Sequence, residues 1–120
     1  MNKYSLITYF DFNQNLEKDW KDLTNHNSYS PFQSYEWLNN WYISIGSKTT
    51  NLKLFIIVFK LNNHTTDIFP LCIYKKKFHT TLEFIGGINT DIKCSLHSSE
   101  NSILKSKKYN YEIIWKKIIP

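Results

Sequence analysis

The sequence predicts one domain of the α/β (α+β) class, a mixed, mostly antiparallel sheet covered by helices. Extended and helical periodicities alternate early, three consecutive extended segments follow the second helix, and no repeat or linker interrupts the chain. A chain of 120 residues suits one domain with one core. The predicted order is β-α-α-β-β-β-α-β, and it fills residues 1–120.

The chain opens with a predicted strand and a predicted helix. Residues 6–10 alternate as a short strand. Asn13 or Asn15 can cap a helix that carries three apolar side chains on one face at helical spacing, those of Leu16, Trp20 and Leu23. This spacing predicts that Trp20 is a core residue.

A second helix is predicted directly after Ser34. Ser34 is a good N-cap, and apolar residues follow at helical spacing up to Gly46, which stands where a helix-ending glycine belongs. Trp37 and Trp41 are one turn apart and share a face. We expect both rings to pack against the sheet rather than to form a stacking platform for a ligand.

Extended periodicity then replaces helical periodicity. Residues 52–61 are apolar on both faces in the middle, which favours a central strand. A turn at 62–64 leads to a second strand at 67–75, where Pro70 lacks an N–H and is therefore expected at a sheet edge or a bulge. A third strand is predicted for 80–85.

The remaining elements are shorter. Gly86 and Gly87 end the third strand, and Ser98 or Ser99 can cap a short helix through residue 104. Residues 109–115 form the last predicted strand.

Composition restricts the class of protein. The net charge is +5, all 15 basic residues are lysine, and arginine and alanine are absent, a bias typical of an A/T-rich genome. No apolar run reaches the length of a membrane span, and no secretory signal is visible. Two cysteines cannot build a disulfide framework, so we expect a protein of a reducing cytoplasm.

Metal and nucleophile chemistry have weak candidates. Cys94-x-x-His97 with Asp91 is the one ligand-like spacing, and it lacks the second pair that a structural zinc site needs. Folding could bring Cys94 or Cys72 next to a histidine to form a catalytic dyad, but the spacing of these residues in the sequence does not indicate one. Gly86 and Gly87 do not lead into a helix N-terminus, so they are not a phosphate loop.

Nucleic-acid binding is the alternative function. Lysines cluster at 75–77, 105–108 and 116–117, near aromatic residues such as Phe78. Charge interleaved with aromatic rings is the pattern of a basic single-stranded nucleic-acid-binding module. The net charge is modest and the sequence has no RNP-type or KH-type signature, so nucleic-acid binding is the second of the two function hypotheses.

Several short motifs, taken in order, resemble those of a known family. They are Trp20-x-x-Leu23, Ser30-Pro31-Phe32-Gln33-Ser34, Glu36-Trp37-Leu38-x-x-Trp41, Ile68-Phe69-Pro70-Leu71, Leu82-Glu83-Phe84-Ile85-Gly86-Gly87 and the final Ile-Pro after Tyr111-Glu112-Ile113-Ile114. The series resembles the first half of GNAT-fold acetyltransferases of the CelD-like, cellulose-biosynthesis type, relatives of the FemAB-like transferases. It covers nearly the whole chain.

This resemblance implies an acyltransferase with two GNAT-like halves. The acyl-CoA loop would belong to the second half, so this truncated chain is expected to bind no cofactor and to be inactive alone. The acceptor, related to polysaccharide or the cell envelope, would lie between the halves, where Asp91 is the candidate cleft residue. A local turn hydrogen bond explains Asp91 equally well. Partners would be the missing half or a second copy joined at a sheet edge.

Overall fold

The computed structural model describes residues 4–27, 29–85, 95–99, 101–105 and 116. These residues form an α+β arrangement of two helices and an antiparallel sheet of five strands, which confirms the predicted class. The strands are β1 (Tyr4–Tyr9), β2 (Leu52–Leu61), β3 (His64–Lys75), β4 (Thr80–Phe84) and β5 (Leu96–His97), and the helices are α1 (Gln14–Thr24) and α2 (Tyr35–Ser44). Sheet neighbours follow the order β1-β2-β3-β4, and β5 also pairs with β3.

Helix α1 starts and packs as predicted. The Asn13 side chain accepts a hydrogen bond from the Leu16 N–H at 2.9 Å, so Asn13 is the N-cap. Trp20 is fully buried, and its indole N–H donates to the Gln33 carbonyl at 3.0 Å. That bond ties α1 to the 3₁₀ turn Pro31–Gln33, which Ser30 caps.

Helix α2 also has its predicted N-cap, because the Ser34 hydroxyl accepts from the Trp37 N–H at 3.1 Å. Its end also agrees with the expectation, because Gly46 directly follows the C-cap residue. Ile45 is the C-cap, and Gly46 begins a 3₁₀ turn. A Cβ on Gly46 would lie 2.8 Å from ring atoms of both Trp41 and Tyr42, so the close approach of these rings explains the glycine.

The two tryptophans of α2 behave differently, which corrects the expectation that both pack on the sheet. Trp41 is partly buried against the core. Trp37 is 51% exposed, and its ring meets Phe32 edge-on at 4.8 Å. Trp37 therefore packs on the 3₁₀ turn before α2, which contains Phe32, rather than on the sheet.

Strand β2 is central and its middle residues are buried on both faces, as predicted. Two core clusters therefore flank the sheet. Helices α1 and α2 cover one face through Leu16, Trp20 and Leu38, while the other face is closed by Ile103. A two-residue turn with positive φ at Asn62 and Asn63 joins β2 to β3.

Pro70 lies within β3, which is an interior strand rather than an edge strand. Its carbonyl accepts from the Ile85 N–H at 2.8 Å, so the proline nitrogen faces the same side. On that side β4 pairs with residues 71–75 and β5 with residues 67 and 68. Pro70 thus falls between the two partner strands, where its missing N–H breaks no ladder bond.

The last predicted elements are partly outside the described residues. The third strand is confirmed as β4, whereas the helix predicted up to residue 104 is a single 3₁₀ turn, Ile103–Lys105, preceded by a turn in which Ser98 accepts from the Asn101 N–H. Gly86, Gly87, Asp91, Cys94 and the strand predicted at 109–115 lie outside. Among the described helices, neither is long and apolar enough to cross a membrane.

Candidate functional site

The short strand β5 brings a histidine to a buried aspartate. β5 pairs with β3 in a register that sets His97 opposite Asp67 and Leu96 opposite Ile68. Side chains alternate along a strand, so Leu96 enters the helix-side core while His97 and Asp67 share the other face. The His97 Nδ1 lies 2.6 Å from the Asp67 Oδ2, and Asp67 has no exposed surface.

Asp67 is fully hydrogen-bonded despite its burial. Oδ1 accepts from the Thr66 hydroxyl at 2.7 Å and the Ile103 N–H at 2.8 Å, and Oδ2 accepts from the Ser102 hydroxyl at 2.6 Å as well as facing the His97 ring. A carboxylate offers about four acceptor positions, and all four are used here. Satisfying every lone pair is what makes a buried carboxylate tolerable.

The aspartate fixes the proton on the histidine ring. An ionised carboxylate can only accept, so Nδ1 of His97 must carry the proton that it donates. In a neutral imidazole Nε2 is then an acceptor, and the Ser95 Oγ lies 2.8 Å from it. With a neutral imidazole the contacts run from the Ser95 hydroxyl to His97 to Asp67, which is the connectivity of a nucleophilic serine triad.

Neighbouring groups hold the ring and the serine in place. The Phe69 ring meets the His97 imidazole edge-on at 5.4 Å, and the Tyr29 hydroxyl donates to the His97 carbonyl at 2.6 Å. The Gln33 amide lies 3.4 Å from the Ser95 carbonyl oxygen. These contacts anchor β5 to the segment between α1 and α2.

An open cleft of about 550 Å³ adjoins the histidine. Its lining is polar and consists of Asn25, His26, Asn27, Tyr29, His97 and Ser99. Burial, followed by the charge of Asp67, raises the pKa of Tyr29 to about 12, so its hydroxyl stays a donor at neutral pH. Amide, imidazole and hydroxyl groups of this kind suit a ligand rich in hydroxyl or amine groups.

The other buried carboxylate, Asp19, has a structural environment. Its Oδ1 forms an ion pair with Lys60 at 2.7 Å, and its Oδ2 accepts from the Tyr9 hydroxyl at 2.6 Å. These bonds fasten α1 to β1 and β2. Burial and this carboxylate also raise the pKa of Tyr9.

The cysteine dyad considered from the sequence is wrong for Cys72. Cys72 belongs to the helix-side core, whereas His97 lies on the opposite face of the sheet. Burial, followed by the charge of Glu83, raises the pKa of the Cys72 thiol to about 12. A thiol in this state is not a nucleophile at neutral pH.

The remaining sequence candidates do not gather at this site. Asp91, Gly86 and Gly87 lie outside the described residues, and Trp20, Trp41 and Pro70 are packing residues. Ser34 caps α2 and also lines a second depression of about 340 Å³ next to the cleft. Within the described ranges, no three His, Cys, Asp or Glu side chains are arranged to hold a metal ion.

Sequence reasoning missed the triad, although it named His97. Asp67 was predicted to start a strand, and residues 88–97, which include Ser95, were expected to form a loop or a short irregular strand. The available signal was an acidic residue at the head of an otherwise apolar strand, Ile68 to Ile73, but nothing local indicates which histidine would face it.

Comparison of the chain with family models, with curated proteins and with solved structures finds no match. The likeness to CelD-like GNAT acetyltransferases therefore stays a prediction from the motifs.

Proposed function

We propose that this chain is the acceptor-side half of a GNAT-like acyltransferase, which transfers an acyl group from acyl-CoA to a cell-envelope or polysaccharide-related acceptor. The observation that carries the proposal is the order of the first six elements, β-α-α-β-β-β, in a sheet whose neighbours run β1-β2-β3-β4. The local patterns of the sequence predict this order, and the proposal takes it as the first half of a GNAT-like fold.

The polar cleft supports an acceptor-binding role. Its lining groups come from the segment after α1 and from the β5 region, which the Asn27 side chain joins by accepting from the Ser99 N–H at 3.3 Å and the Ser99 hydroxyl at 3.2 Å. A sugar that carries hydroxyls and an amine matches these groups in hydrogen-bonding character.

The proposal assigns acyl-CoA binding to a second GNAT-like half, so residues 1–120 by themselves do not perform the transfer. We expect calorimetric titration of acetyl-CoA into the purified chain to give no binding heat and no shift of melting temperature, because a ligand of the native state would raise stability. Stoichiometric acetyl-CoA binding would contradict the assignment of the acyl-CoA site to a second half.

Acceptor binding has a positive test. Glucosamine at high concentration is expected to raise the melting temperature, since it offers both an amine and hydroxyls to the cleft. The change His26→Ala in the cleft should weaken the shift. His79→Ala is the matched control, because His79 is equally solvent-exposed but lies in the β3–β4 turn. Equal shifts of melting temperature in the two variants would show that the acceptor does not bind in the cleft.

The partner in this proposal is a second GNAT half or a second copy that pairs at a sheet edge. Among the described strands β1 pairs with β2 alone, and β4 pairs with β3 alone. Either edge can therefore accept a further strand. Sedimentation of the chain alone, and after co-expression with a chain bearing an acyl-CoA loop, distinguishes the two partners.

A single-stranded nucleic-acid function is the second candidate, favoured by the β3–β4 turn. Phe78 is 88% exposed there, Lys77 Nζ lies 5.5 Å from the centre of its ring, and Lys75 and Lys76 are also exposed. An exposed ring among lysines can stack a base. An oligonucleotide complex at near-physiological salt should be lost on replacing Lys75, Lys76 and Lys77 by Gln, and kept when the exposed Lys18 and Lys48 are replaced.

A further inference from the structure

We propose that Ser95 is a nucleophile, activated by His97 and Asp67, that accepts an acyl group from an ester substrate and passes it to water. This esterase activity needs neither acyl-CoA nor a second half, so it stands apart from the proposed acyltransferase function. The residues are assigned to it by contact geometry.

The first support is the pair of distances. The Ser95 Oγ lies 2.8 Å from Nε2 and the Asp67 Oδ2 lies 2.6 Å from Nδ1 of the same imidazole. Both fall within the reach required of a nucleophile, a base and the group that orients the base. Ser95 directly precedes β5 and lies two positions before His97, so this contact is local in the chain.

The second support is the rigidity of the orienting carboxylate. Asp67 is completely buried, and the Thr66 and Ser102 hydroxyls and the Ile103 N–H hold it from the sides that His97 does not occupy. A carboxylate fixed in this way holds the imidazole in one tautomer and stabilises the imidazolium that forms during proton transfer. A histidine whose Nδ1 contacted only solvent would have no such preference for one tautomer.

The third support is access. The His97 side chain is 27% exposed and lines the polar cleft, and Ser95 is partly exposed. A substrate that enters the cleft meets His97, and the Ser95 Oγ lies 2.8 Å from the Nε2 of the same ring. By contrast, Cys72 is closed off in the core.

The reaction balances without any further reactant except water. The Ser95 Oγ attacks the ester carbonyl carbon while its proton passes to Nε2 of His97. The bond from that carbon to the alkoxy oxygen then breaks, and the departing alcohol takes the proton from Nε2. Water attacks the acyl-serine, gives a proton to Nε2, and releases the carboxylic acid as that proton returns to the Ser95 Oγ.

The test uses a fluorophosphonate probe on the purified full chain, followed by intact-mass measurement and peptide mapping. We expect one adduct, on Ser95, and none in Ser95→Ala. His97→Gln should slow labelling by at least about 100-fold, since general-base assistance contributes about that much or more. Ser47→Ala is the matched control, because Ser47 is an exposed serine in the 3₁₀ turn after α2, and its hydroxyl donates to the Ile43 carbonyl.

Three results would overturn the proposal. They are no adduct on a chain that melts cooperatively, an adduct spread over several serines, or labelling of Ser95 that is unchanged in a folded His97→Gln variant. If His97→Gln does not fold, the native and heat-unfolded wild-type chains are compared instead. A native rate at Ser95 about 100-fold above the unfolded rate supports the proposal, and equal rates refute it.

Discussion

The imidazole Nδ1 of His97 lies 2.6 Å from the Oδ2 of Asp67, although 30 residues separate the two in the chain. This contact closes the two-residue strand β5 onto β3. Asp67 also accepts from Ser102 and Ile103, so one carboxylate holds the segments on either side of residue 100 against the sheet. The same atoms that stabilise the fold therefore orient the proposed base.

Removal of this carboxylate should destabilise the chain strongly. We expect Asp67→Ala to lower the free energy of unfolding by about 3–5 kcal/mol, because it leaves several buried donors and the imidazole without their acceptor. Urea unfolding followed by fluorescence measures the loss. Asp11→Ala is the control, since Asp11 is exposed and accepts one bond from Asn13, and it should change stability by less than about 1 kcal/mol. Equal effects would contradict the network's role.

The Cys72 thiol should resist alkylation in the native chain. Its raised pKa leaves almost no thiolate at pH 8, and its side chain is buried. In a Cys94→Ser background, we expect iodoacetamide to modify Cys72 only after unfolding by urea. Rapid modification of the native chain would show that the core around Cys72 opens.

Tyr29 should titrate late and make stability fall at alkaline pH. Its pKa is raised from 10.0 to about 12 in the folded chain, so between these values the unfolded state releases a proton that the folded state keeps. This stabilising contribution is complete below pH 10 and is lost as pH rises to about 12. Ultraviolet titration of wild type minus Tyr29→Phe should show a tyrosinate appearing near the upper value. A difference curve centred at the ordinary value would refute the assignment.

Trp20 of α1 and Trp37 of α2 should differ sharply in their contribution to the free energy of unfolding. Trp20→Ala removes a fully buried ring and its bond to the Gln33 carbonyl, so we expect a loss of about 3–5 kcal/mol. Trp37→Ala removes a half-exposed ring in contact with Phe32, and we expect less than about 1 kcal/mol. Each variant is the other's control in urea unfolding, and a reversed order would contradict the packing described.

Local chemistry explains which elements were predictable. Asn13 and Ser34 cap the helices by accepting hydrogen bonds from backbone N–H groups three positions later. Such capping signals involve only a few consecutive residues, so they can be recognised in the sequence. The apolar run of β2 likewise indicates a strand buried on both faces. The element order follows from these local signals.

The site was not predictable because it depends on contacts between residues that are distant in the sequence. The register that sets His97 against Asp67 depends on a two-residue strand, too short to give a periodic pattern, and on a partner 30 positions earlier. The exposure of Trp37 and the interior position of Pro70 were missed on similar grounds. In both cases a tertiary relationship decides the outcome, namely the contact of Trp37 with Phe32 or the gap between β4 and β5.

The proton on the His97 ring tests the account most directly, because the triad depends on Nδ1–H donating to Asp67. Nuclear magnetic resonance of the nitrogen-labelled chain, with His97→Gln used for assignment, should show a slowly exchanging Nδ1–H signal far downfield of the backbone amides. That signal should disappear in Asp67→Ala. A neutral ring protonated on Nε2, or a signal unchanged in Asp67→Ala, would contradict the triad and the activity proposed for Ser95.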